Sequence, residues 1–218
     1  MTKKTNDLPA MPETKDLVNE LMEQDLSQID FTPARIKIMH RERLFVLPDN
    51  RTVKSFKGIV VKFQKTRALW EEGNELPSCR SFDGIRGSTP EIPIQKDCAT
   101  CEFNVYNPEL KRKPCKESRV LYVLPEGGAL PVVLTLPPTS LKAWDGYVSS
   151  LASMGKATPI VITEFRLESK EKNGFSYAVI APEFVDDVPV DMMQEVLRYR
   201  NILANKFNDD ILINESEG

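Results

Sequence analysis

A mainly β, α+β fold built on a small antiparallel Greek-key barrel is what this sequence predicts, with helices flanking the strands. Three observations carry that expectation. Apolar and polar residues alternate over short runs, which turn residues separate at hairpin spacing. Helical periodicity is confined to three segments, near residues 13–28, 140–155 and 189–206. Strands and helices therefore do not alternate regularly, as a parallel α/β sheet requires. The 218 residues, 41% of them hydrophobic, are enough to bury a core without disulfides.

In chain order, residues 1–30 read as an acidic N-terminal arm. Leu17, Leu21, Met22 and Leu26 recur at helical spacing within it. Phe31-Thr-Pro-Ala34 ends that helix. Residues 35–40 alternate basic and apolar, as a half-exposed strand does, and residues 44–47 form a second strand before the turn at 48–51. Residues 52–70 carry a long strand. Strict alternation puts Ile59, Val61 and Phe63 on one face and Val60, Lys62 and Gln64 on the other. Gly58 marks a bend or bulge there. Residues 119–124 and 130–136 are strands joined by the turn Pro125-Glu-Gly-Gly128. A helix follows, capped by Thr139 or Ser140, with Leu141, Trp144, Val148 and Leu151 as its apolar stripe and Gly155 as its stop. Residues 158–167 and 175–181 form a hairpin. Pro189 opens a last helix to about Lys206, and residues 208–218 are an acidic tail.

All four cysteines fall in one loop-rich stretch, residues 78–119: Cys79, Cys98, Cys101 and Cys115. The middle pair is a C-x-x-C. The N-terminus lacks a signal-peptide pattern, and no apolar run approaches the roughly 18 residues of a membrane span. The expected compartment is therefore the cytoplasm, where thiols stay reduced and clustered cysteines read as metal ligands. A C-x-x-C wraps one tight turn around zinc, and Cys79 and Cys115 would close a tetrahedral shell of four thiolates. Such a shell leaves no open position, so the metal would be structural, holding an insert with too few apolar residues to fold alone. A redox C-x-x-C would leave Cys79 and Cys115 unexplained. The sequence holds no P-loop, Gly-x-Ser-x-Gly or His-Glu-x-x-His, and no enzyme is expected.

Charge is unevenly spread. The chain totals −3, but residues 1–30 and 209–218 are −4 each, leaving +5 on the body between them. The ends are either simply solvated, or they restrain a basic binding surface. Lys111, Arg112, Lys113, Lys116 and Arg119 cluster around the last cysteine.

Several stretches occur in a familiar order: Cys79-Arg-Ser-Phe-Asp-Gly84, Cys98-Ala-Thr-Cys101-Glu-Phe-Asn104, Lys113-Pro-Cys115-Lys116, Arg119-Val-Leu-Tyr122 and Leu134-Thr-Leu-Pro-Pro-Thr-Ser-Leu141. Over residues 35–184 the chain resembles a family of phage- and prophage-encoded, zinc-containing proteins similar to single-stranded DNA-binding proteins. Arg80 and Phe82 depart from the smaller polar residues expected around the first cysteine. The resemblance implies an OB-like barrel over residues 31–207, with a four-cysteine zinc insert at 78–119. It implies Zn2+ held by Cys79, Cys98, Cys101 and Cys115, and a non-catalytic role on single-stranded DNA in phage replication or recombination, inside the bacterial host cell.

Binding a single strand needs cations for phosphates and aromatic faces for bases. The candidates are Arg35, Lys37, Lys62, Arg67, Trp70 and Tyr122 on strands, with Lys111, Arg112, Lys113, Lys116 and Arg119 on the insert. Tyr106, Phe165 and Tyr177 are further aromatic candidates, whereas Trp144 sits on an apolar stripe and reads as core. The acidic tail resembles those with which replication proteins recruit partner enzymes. A homo-oligomer is compatible with all of this, and no membrane partner is expected. The alternative is a zinc-stabilised phage protein–protein interaction module that binds no nucleic acid.

Overall fold

The structure, a computed structural model, describes Gln24 and residues 32–89, 96–172 and 174–206. The chain divides into two units, residues 1–32 and 33–218. Apart from Gln24, which is helical, the expected acidic arm lies outside the described residues, as does the tail at 208–218.

The second unit is mainly β. Its strands are β1 (Arg35–Met39), β2 (Leu44–Val46), β3 (Thr52–Val53), β4 (Ser55–Leu69), β5 (Cys79–Ser81), β6 (Arg86–Gly87), β7 (Lys96–Asp97), β8 (Cys115–Pro125), β9 (Val132–Leu136), β10 (Val161–Lys172) and β11 (Phe175–Asp187). Two α-helices are described, α1 (Leu141–Ser153) and α2 (Val190–Lys206). Nine strands form one curled sheet in the order β11-β10-β4-β8-β9-β1-β2-β3, with β5 added to β4, while β6 and β7 pair separately. The sheet is a half-barrel, and it is mixed rather than wholly antiparallel. β1 joins β9 in parallel, Arg35 opposite Val133, because it arrives from far along the chain rather than through a hairpin.

The strand β4 organises the sheet. β10 pairs with its first residues, Ser55 to Gly58, β8 runs along it from Gly58 to Leu69, and β5 pairs with its last three residues. Strict alternation along β4 fails at one place. A bulge between Val60 and Lys62 puts Val60 opposite Val123 but Lys62 opposite Tyr122. Phe63 consequently shares a face with Val60 instead of opposing it, and meets Trp144 edge-on at 5.2 Å. Gly58 is not the bulge. A Cβ there would lie 2.6 Å from Val123 Cγ1 and 2.8 Å from the Leu124 carbonyl oxygen, so glycine allows β8 to approach.

The core joins the sheet to α1. Phe56 stacks on Phe165 with centroids 5.0 Å apart, and Trp144, Tyr147 and Leu151 of α1 complete the cluster. Tyr147 and Thr163 share a buried hydroxyl hydrogen bond of 2.7 Å. Ser140 precedes α1 as expected, but its side chain does not cap the helix. Its Oγ accepts the Ile180 amide at 3.0 Å, tying the helix start to β11. Gly155, at φ +69°, ends the helical segment. Against β4 packs α2, with Val196, Tyr199 and Leu203 buried and the Tyr199 hydroxyl donating to the Ala129 carbonyl. Among the described residues, no helix is long and apolar enough to cross a membrane.

Gly58→Ala is expected to cost about 1–3 kcal/mol by forcing β4 and β8 apart. Chemical denaturation would register this as a lower midpoint.

Candidate metal centre and basic surface

Strand register brings two distant cysteines together. Leu69, at the end of β4, pairs with Cys79 on one side and Cys115 on the other. Residues paired across a ladder share a face, so Cys79 and Cys115 flank Leu69 in one row. The segment 78–119 is accordingly less separate than its sequence suggests, since β8 begins at Cys115 and β5 at Cys79. The C-x-x-C comes to this row from the turn after β7. The Cys98 amide donates to the Ile85 carbonyl at 2.8 Å, and the Ala99 amide to Asp97 Oδ1 at 2.8 Å. The Asn104 amide donates to the Cys101 carbonyl at 3.0 Å.

All four cysteines line one cavity of about 510 Å3, and all four are free thiols. Gly87 makes room for them. A Cβ there would stand 2.9 Å from Cys79 Sγ and 3.7 Å from Cys98 Sγ. Burial raises the Cys115 thiol above its ordinary value. Arg67 opposes that shift, and Cys98, Cys79 and Cys101 reinforce it, so the four sulfurs lie within electrostatic reach of one another. Among the described residues no three His, Cys, Asp or Glu side chains stand at finished metal-binding geometry. The donor set is nevertheless the one a closed tetrahedral zinc shell requires, and the glycine cradle fits it.

A buried arginine organises the surroundings. Arg67 is 9% exposed. It donates to the Gly84 carbonyl at 3.2 Å, to Asn104 Oδ1 at 2.6 Å, and to the Glu117 carboxylate. Asn104 in turn donates through Nδ2 to the Cys98 carbonyl at 2.8 Å. A chain of hydrogen bonds thus runs from β4 to the C-x-x-C turn. Glu117 also pairs with Lys65 at 3.2 Å and Arg119 at 2.8 Å. Burial works against its charge, but the hydrogen bonds from Arg119 and Lys65 and the charge of Arg67 prevail, holding the carboxyl below its ordinary value.

The expected DNA-contacting residues divide. Tyr122 is wholly buried and presents no face to a base, so it leaves the set. Arg67 leaves it too, being enclosed and fully engaged. Arg119 is held by Glu117 and, at 3.4 Å, by Asp145. The remaining candidates are better exposed. Arg35, Val133, Tyr122 and Lys62 form one cross-strand row, so Arg35 and Lys62 share a face, which Lys116 joins through its pairing with Ala68. Lys37 lies two residues beyond Arg35 and is exposed. Burial and the neighbouring Arg200 lower the Lys62 ammonium below the ordinary lysine value. Lys111, Arg112, Lys113 and Lys116 are exposed, and among the described residues none of them makes an ion pair. Trp70 is half-buried at the end of β4.

Asn104, Glu117 and Gly87 are the residues that spacing did not reveal. Their roles depend on strand register and on backbone carbonyls, neither of which leaves a pattern in sequence. Comparison with family models, with curated proteins and with solved structures finds no match to this chain.

Arg67→Met is expected to cost about 1–3 kcal/mol, because it removes charge-assisted hydrogen bonds to Glu117 and Asn104 and leaves the Gly84 carbonyl without its donor, while Lys65 and Arg119 still pair with Glu117. Arg119→Met is expected to cost less, about 1 kcal/mol, because Arg119 makes no bond to Asn104 or Gly84 and its second partner, Asp145, is exposed and stays hydrated. Paired denaturation curves would show the difference.

Proposed function

We propose that this chain is a non-catalytic single-stranded DNA-binding protein whose barrel is OB-like and whose cysteine segment holds structural zinc. The observation that carries the reading is strand order. Taking β4, β8, β9, β10 and β11 as five consecutive barrel strands gives the spatial order fifth, fourth, first, second, third, with α1 between the third and fourth. An OB-fold is a partly open Greek-key barrel of five strands. It binds oligonucleotides with the face of strands two and three and with the loops joining strands one to two and four to five. In this chain the cysteine segment, with its run Lys111-Arg-Lys113, is the loop between strands one and two. The segment is thus part of the binding region rather than an ornament.

Zinc, when bound, would supply a closed shell for Cys79, Cys98, Cys101 and Cys115 and no open coordination position. Four thiolates around Zn2+ carry −2, which the buried Arg67 offsets. The consequence for function is rigidity: the loop is fixed relative to β4 and β8, so its cations are held in place before DNA arrives. Coating a strand in this way suits phage replication or recombination in the host cytoplasm. The acidic tail would recruit partner proteins there.

Labelled dT oligomers are expected to bind in an anisotropy titration at low salt, and more tightly than duplex. Contacts from Lys111, Arg112, Lys113 and Lys116 alone give a slope of about −3 in log affinity against log salt. Absence of dT binding at low salt would overturn the reading and leave the protein–protein interaction module. Elemental analysis should find about one zinc per chain, and chelation should melt the cysteine segment. Less than about half an equivalent in fresh protein would refute the four-thiolate site. Gly87→Val is expected to lower zinc affinity, because its side chain enters the space of Cys79 Sγ.

A further inference from the structure

A second cavity, of about 620 Å3, lies between the end of β4 and residues 102–114, and shares Leu69, Glu71, Glu102 and Phe103 with the lining of the cysteine cavity. Its size falls within the roughly 300–1,000 Å3 range of small-ligand sites. Trp70, Phe103 and Tyr106 all line it. Tyr106 is 57% exposed and Phe103 38%, and Val105 and Leu110 beside them are exposed as well. Single exposed apolar residues need no explanation, but a contiguous group around a concavity does. The loop that carries them is ordered by its own hydrogen bonds. Asn107 Oδ1 accepts the amides of Glu109 and Leu110 at 2.9 Å each, and the Asn107 amide reaches the Arg112 carbonyl at 2.9 Å. Lys111 stands at φ +52°, at the tip of that turn.

We infer that this cavity is a base-stacking subsite for single-stranded DNA, taking a nucleobase against the rings of Trp70, Phe103 and Tyr106. The inference rests on the DNA-binding reading above and identifies where a base is held. Charge complementarity favours this occupant. Arg112 lines the cavity, Lys111 and Lys113 adjoin it in sequence, and among the described residues Lys111 and Arg112 are in no ion pair that would compete for phosphate. Glu71 and Glu102 also line the cavity. Their carboxylates repel phosphate, so the neutral base enters while the backbone follows the Lys111–Lys113 side. Aromatic stacking of this kind is tolerant of sequence, as a strand-coating protein requires.

Two tryptophans give the test its resolution. Trp144 is wholly buried in the core, whereas Trp70 is partly open. Binding of a dT oligomer is expected to quench tryptophan emission in the native protein, and Trp70→Phe is expected to remove that quenching. Tyr106→Ala is expected to weaken dT binding, read by anisotropy of the labelled oligomer, by about tenfold or more with zinc content and far-UV circular dichroism unchanged. If Tyr106→Ala fails to fold, the quenching and its loss in Trp70→Phe still decide the matter. Unaltered affinity in Tyr106→Ala together with unquenched Trp70 in the bound complex would overturn the subsite and leave DNA binding standing elsewhere. Absence of any anisotropy change in the native protein would overturn both. A dimer in the absence of DNA that Tyr106→Ala dissociates would assign the cavity to a second copy of the chain, and would also overturn the subsite.

Discussion

The long pairing of β4 with β8 is the constraint on which the rest of this molecule depends. From Gly58 to Leu69 the two strands run together, and their near end belongs to the apolar core of the curled sheet while their far end carries Cys115. A strand that is continuous through both regions leaves no hinge between them. The apolar cluster around Phe56, Val60, Leu121 and Val123 therefore stabilises the register of Leu69 against Cys115 as well as the curled sheet itself. Hydrophobic burial at one end of the ladder specifies thiol geometry at the other. The close approach at Gly58 belongs to the same device, because a displaced β8 would carry Cys115 with it.

Electrostatics completes what the ladder begins. Lys65, Arg67 and Arg119 converge on one carboxylate, Glu117, two residues from Cys115. Gathering three cations on one face would be unfavourable without that acid. With it, Arg67 is left with donors to spare, which it directs at Asn104 and the Gly84 carbonyl. The guanidinium fork suits this work better than an ammonium, since its several donors diverge in one plane. The same positive charge lies beside Cys115 and moderates the cost of bringing sulfurs together in a partly buried site.

Much of the fold could be read from sequence, and the exceptions have particular causes. The strands, the helix stopped by Gly155 and the last helix after Pro189 follow from periodicity and from turn chemistry, which are local. The faces of β4 were not readable, because the bulge after Val60 arises from its pairing with β8 and moves Phe63 and Lys62 relative to Val60. The parallel pairing of β1 with β9 likewise has no local signature. The grouping of the four cysteines was legible because ligand chemistry restricts which residues cluster. The division of the cations was not. Arg67 and Lys62 look alike in an alternating strand, and only the opposing carboxylate and the covering loop distinguish the enclosed guanidinium from a half-buried ammonium. Tyr122 shows the same limit: it reads as a base platform from composition and is core by register.

That division of the cations has a physical logic. The enclosed ones are neutralised in place, because a charge removed from water must be paired or its burial is prohibitive. The exposed ones, Lys111, Arg112, Lys113 and Lys116, stay hydrated, and among the described residues none is in an ion pair, Lys113 alone reaching the Asn104 side-chain oxygen at 3.5 Å. Exposed cations gain little from an intramolecular ion pair, but each can release a condensed counterion when it meets a nucleic-acid backbone. A rigid loop that bears unpaired cations on its rim and open aromatic rings between them gives up little side-chain and backbone entropy on meeting a flexible strand. In the proposed DNA-binding reading, the cysteine cluster would act at a distance from the strand. Its contribution would be to fix the loop before binding, so that the entropy lost in a complex would be mainly that of the strand.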